Sequence, residues 1–282
     1  MLKIIECPRD AMQGIKDFID TDHKIAYINQ LLKVGFDTLD AGSFVSAKAI
    51  PQMQDSEIVF EKIDWKNSKT KLLAIVANAR GAETATKFEQ IRYIGYPFSI
   101  SETFQIRNTN ATIEESLDRT KQIIQLCNEY GKEPVIYISM GFGNPYGDEW
   151  NASIVMKWCE RLIELGVKII SLSDTIGVSN PDSISYLFNY LIPKFPTIEF
   201  GAHLHTQPTN WLEKVDAAYK SGCRRFDGAL KGYGGCPMAK DDLTGNMPTE
   251  NMIMYFNANN ISNTINVDEL NKSLLLSSQI FH

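Results

Sequence analysis

A fold of the α/β class, a (β/α)8 barrel with a short C-terminal helical extension, is what the sequence predicts, on three observations. Eight short apolar, β-branched runs alternate with longer helix-like stretches along nearly the whole chain. The length, 282 residues, fits one such barrel, which takes about 250 residues, plus a tail. Polar residues recur just after the apolar runs, which is where a barrel of parallel strands builds a site.

The elements follow in order. The chain opens on a strand at Lys3–Cys7 and continues into a helix at Asp22–Lys33, with Gly35 beyond its end. Strands at Thr38–Ala41, Lys71–Val76 and Gln90–Ile94 come next. Ile113–Tyr130 is a long helix: Thr112 caps it and Glu115 stands three residues on, a capping-box spacing. The strand Pro134–Ser139 leads to the helix Ile154–Leu165, and the strand Lys168–Leu172 to the helix Pro181–Leu191. Strand Ile198–His203 precedes the helix Trp211–Ser221, and Arg225–Asp227 is the eighth strand. Gly131, Gly166 and Gly222, like Gly35, sit where a left-handed residue ends a helix. Asn257–Asn263 reads as loop, and Val267–Ser277 as a last helix outside the barrel. The chain is expected to be one domain, a TIM barrel with a core of about 1–258 and a tail of 259–282. An open doubly wound sheet is the alternative, but its glycine-rich GxGxxG turn is missing: CPRDAMQG follows the first strand.

A net charge of −6 gives no electrostatic reason to expect nucleic acid or an anionic membrane as partner. The five cysteines are widely spaced and form no CxxC pair, which argues against a disulfide framework or a zinc ribbon and for a reducing compartment. No run of 18 apolar residues occurs, so a soluble, cytoplasmic protein is expected.

The polar residues behind the strands are Arg9 and Asp10, Asp40, Asn78, Ser139, Asp174, and His203 with His205. The eighth strand is followed by KGYGGCPMAKDDLTGN, which carries Cys236 and Asn246. In His203-Leu204-His205 the two imidazoles alternate out of the strand to the same side and face the barrel axis. Two buried, hydrogen-bonded histidines are the plainer reading of such a pair. Here two of only four histidines meet at the active-site end, which favours a metal site. Asp10 can add a carboxylate oxygen and Asn246 an amide oxygen. That donor set suits Mg2+ or Mn2+, with Zn2+ and Fe2+ also compatible. Arg9 can offset developing negative charge or simply pair with a carboxylate at the rim. Cys236, in a bent GGCP loop, can move a proton if its pKa is lowered, or be a small half-buried side chain. Lys16, Lys48 and Arg107 lie in predicted loops near the mouth; basic loop residues are usually just solvated, and they are left outside the site.

These segments resemble the 3-hydroxy-3-methylglutaryl-CoA lyase family, metal-dependent barrel lyases related to homocitrate and isopropylmalate synthases. The resemblance runs through ECPRD at 6–10, SFVS at 43–46, PQM at 51–53 and IEES at 113–116. It continues through SLSDTIGV at 171–178, HLH at 203–205, and GGCP and TGN between 234 and 246. It implies metal ligation by Asp10, His203, His205 and Asn246, and enolate stabilisation by Arg9. It also implies proton transfer by Cys236 and substrate contact by Asp174, and it places Asp40 and His203 among the catalytic residues. The implied substrate is an acyl-CoA, 3-hydroxy-3-methylglutaryl-CoA, cleaved to acetoacetate and acetyl-CoA, and the implied assembly is a homodimer.

The sequence departs from the family pattern at Asp40, where glutamate is usual, and at Thr206, where aspartate is usual. Ala11 replaces a glycine, Gly14 an asparagine, and the stretch from Cys236 to Asn246 is one residue longer. None of these removes a metal ligand. Three rival readings remain: an amidohydrolase-like hydrolase, whose HxH belongs to the first strand; a lyase or condensing enzyme for another 3-hydroxy-acyl thioester or 2-oxo acid; and a non-catalytic binding module.

Overall fold

The computed structural model describes residues 1–235 and 244–281. Eight parallel strands form its centre: β1 (Lys3–Glu6), β2 (Thr38–Ser43), β3 (Lys71–Ile75), β4 (Ile91–Ser99), β5 (Glu133–Ser139), β6 (Ile169–Asp174), β7 (Glu199–Thr206) and β8 (Arg225–Gly228). Each pairs with its neighbours in chain order, and β8 pairs back onto β1, so the sheet closes on itself. The helices are α1 (Pro8–Gln13), α2 (Thr21–Leu31), α3 (Ser56–Lys62), α4 (Ala79–Thr86), α5 (Glu102–Thr109), α6 (Ile113–Glu129), α7 (Ala152–Glu164), α8 (Pro181–Lys194), α9 (Trp211–Lys220), α10 (Thr249–Ala258) and α11 (Val267–Ile280). The predicted barrel and its helical extension are both present. None of the described helices is long and apolar enough to cross a membrane.

All eight predicted strands form, with ends shifted by a few residues; β4 runs on through Ser99 because Tyr96 and Phe98 pack outward under the helices. The box at Thr112 is formed, with Oγ1 accepting from Glu115 N–H and the Glu115 carboxylate accepting from Thr112 N–H. Gly35, Gly131, Gly166 and Gly222 all adopt positive φ, which a side chain would strain. The predicted loop at Asn257–Asn263 is helical at its start, since α10 runs to Ala258. The short helices α1, α3, α4 and α5 were not anticipated.

Two apolar layers hold the fold. The larger lies between sheet and helices and contains the outward residues of each strand, such as Ile136, Ile138, Ile170 and Leu172. The smaller fills the barrel interior with Leu73, Ile75, Tyr93, Val135, Tyr137 and Ile169, of which Ile75 and Tyr137 reach the cavity. The last helix, α11, packs on α2, and Phe281 meets Tyr27 edge-on and Tyr233 at 4.7 Å between ring centroids.

Candidate active site

The pleat of β7 sends Phe200, Ala202 and Leu204 outward into the helix layer and leaves His203 and His205 facing the barrel axis. A two-residue strand, β9 (Gly245–Asn246), then runs antiparallel to the end of β7 and sets Asn246 opposite His205. On the far side α1 starts directly after β1, with Pro8 in its first turn, so Arg9 and Asp10 are held over the barrel mouth.

Asp10, His203 and His205 offer one ligand atom each, all within 4.8 Å of one another. Asn246 Nδ2 donates to Asp10 Oδ2 and to the Tyr233 carbonyl, both at 2.8 Å. Both amide hydrogens are thereby used, leaving Oδ1 as the atom for a cation. Gly234 passes so close that a Cβ there would lie 2.6 Å from the Asp10 carbonyl oxygen, and its φ is +83°. Arg9 ties the group together. Its Nη1 donates to Asp10 Oδ1 and to Gln13 Oε1 at 2.8 Å; Nη2 and Nε donate to Asp40 Oδ2 at 2.5 and 3.0 Å.

Burial and charge divide these groups. Burial alone would raise Asp10, but the Arg9 charge, the two imidazoles and the Asn246 amide bring it down to about 2. Asp40 is raised to about 6, because burial outweighs Arg9. His205 is lowered to about 4 by burial and by the neighbouring His203, so it is neutral near pH 7. Burial pulls His203 down as well, yet its hydrogen bond to Asp227 and the charge of that carboxylate leave it raised.

The residues fit a divalent cation. Neither ring nitrogen of buried His205 makes a well-formed hydrogen bond among the described residues, although the Thr175 backbone lies near the ring, and this is costly unless something else takes a lone pair. An ionised carboxylate, a neutral imidazole and an amide oxygen are ligands a hard or borderline cation accepts.

A cavity of about 430 Å³ opens over this group and is lined by Arg9, Asp10, His203 and His205. Ser139, Ser173 and Thr175 add polar atoms to its walls, and Ile50, Pro97 and Phe104 apolar ones. Arg107 also lines it, which corrects its exclusion: it sits on α5 rather than in a loop and lies over the Tyr146 ring at 4.8 Å.

Two expected residues stand behind the cavity wall. Asp40 backs Arg9, and its Oδ1 has no partner among the described residues. Asp174 is fully buried with both oxygens engaged: Ser179 donates to Oδ1 from N–H and to Oδ2 from Oγ, and Lys214 Nζ donates to Oδ2 at 2.8 Å. Lys214 also donates to the His205 carbonyl at 2.8 Å, tying this pair to the backbone of a candidate ligand. Cys236 lies outside the described residues. Sequence reasoning missed Lys214 and Asp227; a lysine inside an amphipathic helix and an aspartate mid-strand carry no local signal.

The HMGL-like family model matches residues 2–275. Hydroxymethylglutaryl-CoA lyase YngG of Bacillus subtilis (strain 168) is 32% identical over 263 residues, 93% of this chain and 87% of that protein. A Pseudomonas aeruginosa protein named 3-hydroxy-3-isohexenylglutaryl-CoA/hydroxy-methylglutaryl-CoA lyase is 30% identical with the same shares, 93% and 87%. Among solved structures, an HMG-CoA lyase from Acenitobacter baumannii in complex with coenzyme A and 3-methylmalate superposes with a TM-score of 0.91. Its identity is 30%, over 100% of this chain and 91% of that one.

Proposed function

This chain belongs to the HMGL-like family, and from that premise we propose that it is a divalent-metal-dependent carbon–carbon lyase cleaving 3-hydroxy-3-methylglutaryl-CoA to acetoacetate and acetyl-CoA. The observation that carries the reading is Asp10, His203 and His205 converging within 4.8 Å beneath a cavity that Arg9 shares. Their donor types favour Mg2+ or Mn2+.

Asp10, His203, His205 and the Oδ1 of Asn246 would hold the cation. When bound, it supplies Lewis acidity that makes the substrate's tertiary hydroxyl easier to deprotonate. The hydroxyl loses its proton, the C2–C3 bond breaks, and the electron pair goes to the thioester fragment as an enolate. Arg9, held by two carboxylates, offsets that charge without having to reorganise. Asp40, behind Arg9, carries a buried carboxyl oxygen, Oδ1, that has no partner among the described residues, and it is assigned the hydroxyl proton. The family resemblance gives Cys236 the return of a proton to C2, so protons balance. Asp174, gripped by Ser179 and Lys214, acts through the backbone of His205 rather than by touching substrate.

The four described cysteines are all free thiols, which suits a reducing, cytoplasmic setting. A longer apolar substituent on C3 is the second reading, favoured by the cavity's apolar wall of Val45, Ala49, Ile50, Ile75, Pro97 and Phe104.

A coupled assay for acetoacetate, with Mg2+ or Mn2+ and with chelated and His203→Ala controls, tests the proposal. Turnover lost in both controls supports it. Metal binding without acetoacetate would sink this substrate, and a series of 3-alkyl analogues would then decide the second reading.

A further inference from the structure

His203 belongs to two sets of candidate ligand atoms. One is Asp10, His203 and His205 at the barrel mouth; the other is Cys7, His203 and Asp227, and each set spans no more than 4.8 Å. A single imidazole cannot turn the same nitrogen to both, so its orientation decides where a cation sits.

The ladder sets that orientation. His203 and Asp227 are direct partners in the parallel pairing of β7 with β8, so both side chains enter the barrel at one level. Asp227 is 2% exposed. Its Oδ2 lies 3.3 Å from His203 Nδ1 and 3.4 Å from Ser171 Oγ. Two residues earlier on β8, and so on the same face, Arg225 is fully buried. Its charge interacts with Asp227 and its Nη1 donates to Glu199 at 3.1 Å. A buried carboxylate at 227 therefore has a cation close by, without which it would be expensive. Cys7 completes the deeper set only as a thiolate.

We propose that Asp227 is a positioning residue for His203: it accepts a hydrogen bond from Nδ1–H, fixes that tautomer, and turns Nε2 toward Asp10 and His205. The cation then sits at the mouth and not against Cys7. Histidines that bind metals commonly give their second N–H to a carboxylate in this way. The inference rests on the metal site proposed above.

Two measurements test it, one of them without metal. In 15N-labelled, metal-free protein at pH 9, with the signal assigned by His203→Gln, His203 should be the Nδ1–H tautomer. Asp227→Leu should lose that preference and Asp227→Asn, whose amide oxygen still accepts, should keep part of it. In Mn2+ titrations Asp227→Leu should bind about 10–100-fold more weakly, Asp227→Asn should fall between, and Cys7→Ser should stay within about twofold of wild type.

Wild-type tautomer and affinity in either Asp227 variant would overturn the proposal. Loss of affinity in Cys7→Ser would do the same, by moving the cation to the deeper set. If the wild type binds no Mn2+, the metal reading itself fails, and the tautomer decides the Asp227–His203 contact alone. Melting temperatures confirm folding, and Asp227→Asn keeps the test open should the leucine variant not fold.

Discussion

Asp10 and Asp40 share one guanidinium, that of Arg9, and their pKa values move in opposite directions. Asp10 accepts from Arg9, Gln13 and Asn246 and falls to about 2. Asp40 receives only Arg9, keeps Oδ1 unpartnered among the described residues, and rises to about 6. Beside the same cation, burial thus leaves Asp40 fit for a proton, while the further donors and imidazoles around Asp10 leave it fit for a metal.

Asp40→Asn should therefore separate the two roles. We expect kcat to fall about 100-fold or more, the scale of a lost acid–base group, with Mn2+ affinity changed only a few-fold. Steady-state kinetics beside a Mn2+ titration checks this. Loss of both together would mean that Asp40 works by holding Arg9 and Asp10 in place.

His205 makes the metal-free protein less stable than it need be. Among the described residues neither ring nitrogen makes a well-formed hydrogen bond, the Thr175 backbone being no more than a loose neighbour, and an unmet buried polar group costs about 1–3 kcal/mol. His205→Leu should leave unfolding free energy unchanged or raise it by roughly 1–2 kcal/mol without metal. It should also abolish the rise in melting temperature that Mn2+ gives the wild type. Urea denaturation with and without Mn2+ reads both. A clear loss of stability in the metal-free variant would show that the ring is satisfied by something other than a cation.

How far the sequence was legible follows from which signals are local. The strands and the His203–His205 pair carry a two-residue period, and Gly35, Gly131, Gly166 and Gly222 mark helix ends by backbone chemistry alone. Arg9 and Asp10 follow the first strand onto the cavity wall, although α1 is too short to show a helical period. Asp227 and Lys214 were invisible because their partners are 24 and 40 residues away in sequence. Only strand register and helix docking create those contacts. Arg107 looked like a solvated loop charge because α5, eight residues long, has no pronounced apolar face.

Lys214 and Asp174 form an ion pair with both side chains fully buried, and Lys214 further binds the carbonyls of Gly177 and His205. Lys214→Met leaves a buried carboxylate uncompensated and should cost about 3–5 kcal/mol. Asp174→Asn together with Lys214→Met should cost clearly less than the sum of the single changes, since the pair fails as a unit. Denaturation of the four proteins gives the cycle. Additive costs would mean that Lys214 acts through its two carbonyl contacts alone.

Glu6 predicts how stability depends on pH. It ends β1, fully buried, and its carboxyl accepts from Leu230 N–H at 2.9 Å and from Thr249 Oγ1 at 2.5 Å. Burial outweighs both bonds and raises its pKa from 4.5 to about 8. Between those values the folded chain holds a proton that the unfolded chain has released. Folding stability must therefore fall as pH rises through this window and level off above about 8. The Glu6 share of that fall should be roughly 2–4 kcal/mol. Glu6→Gln keeps an acceptor for Leu230 and a donor for Thr249 but cannot ionise, so it should lack this component. Urea unfolding of both proteins at pH 5, 6.5, 8 and 9 isolates it as their difference. A difference constant to within about 0.5 kcal/mol would mean that Glu6 is already ionised in the folded state, with its two donors outweighing burial.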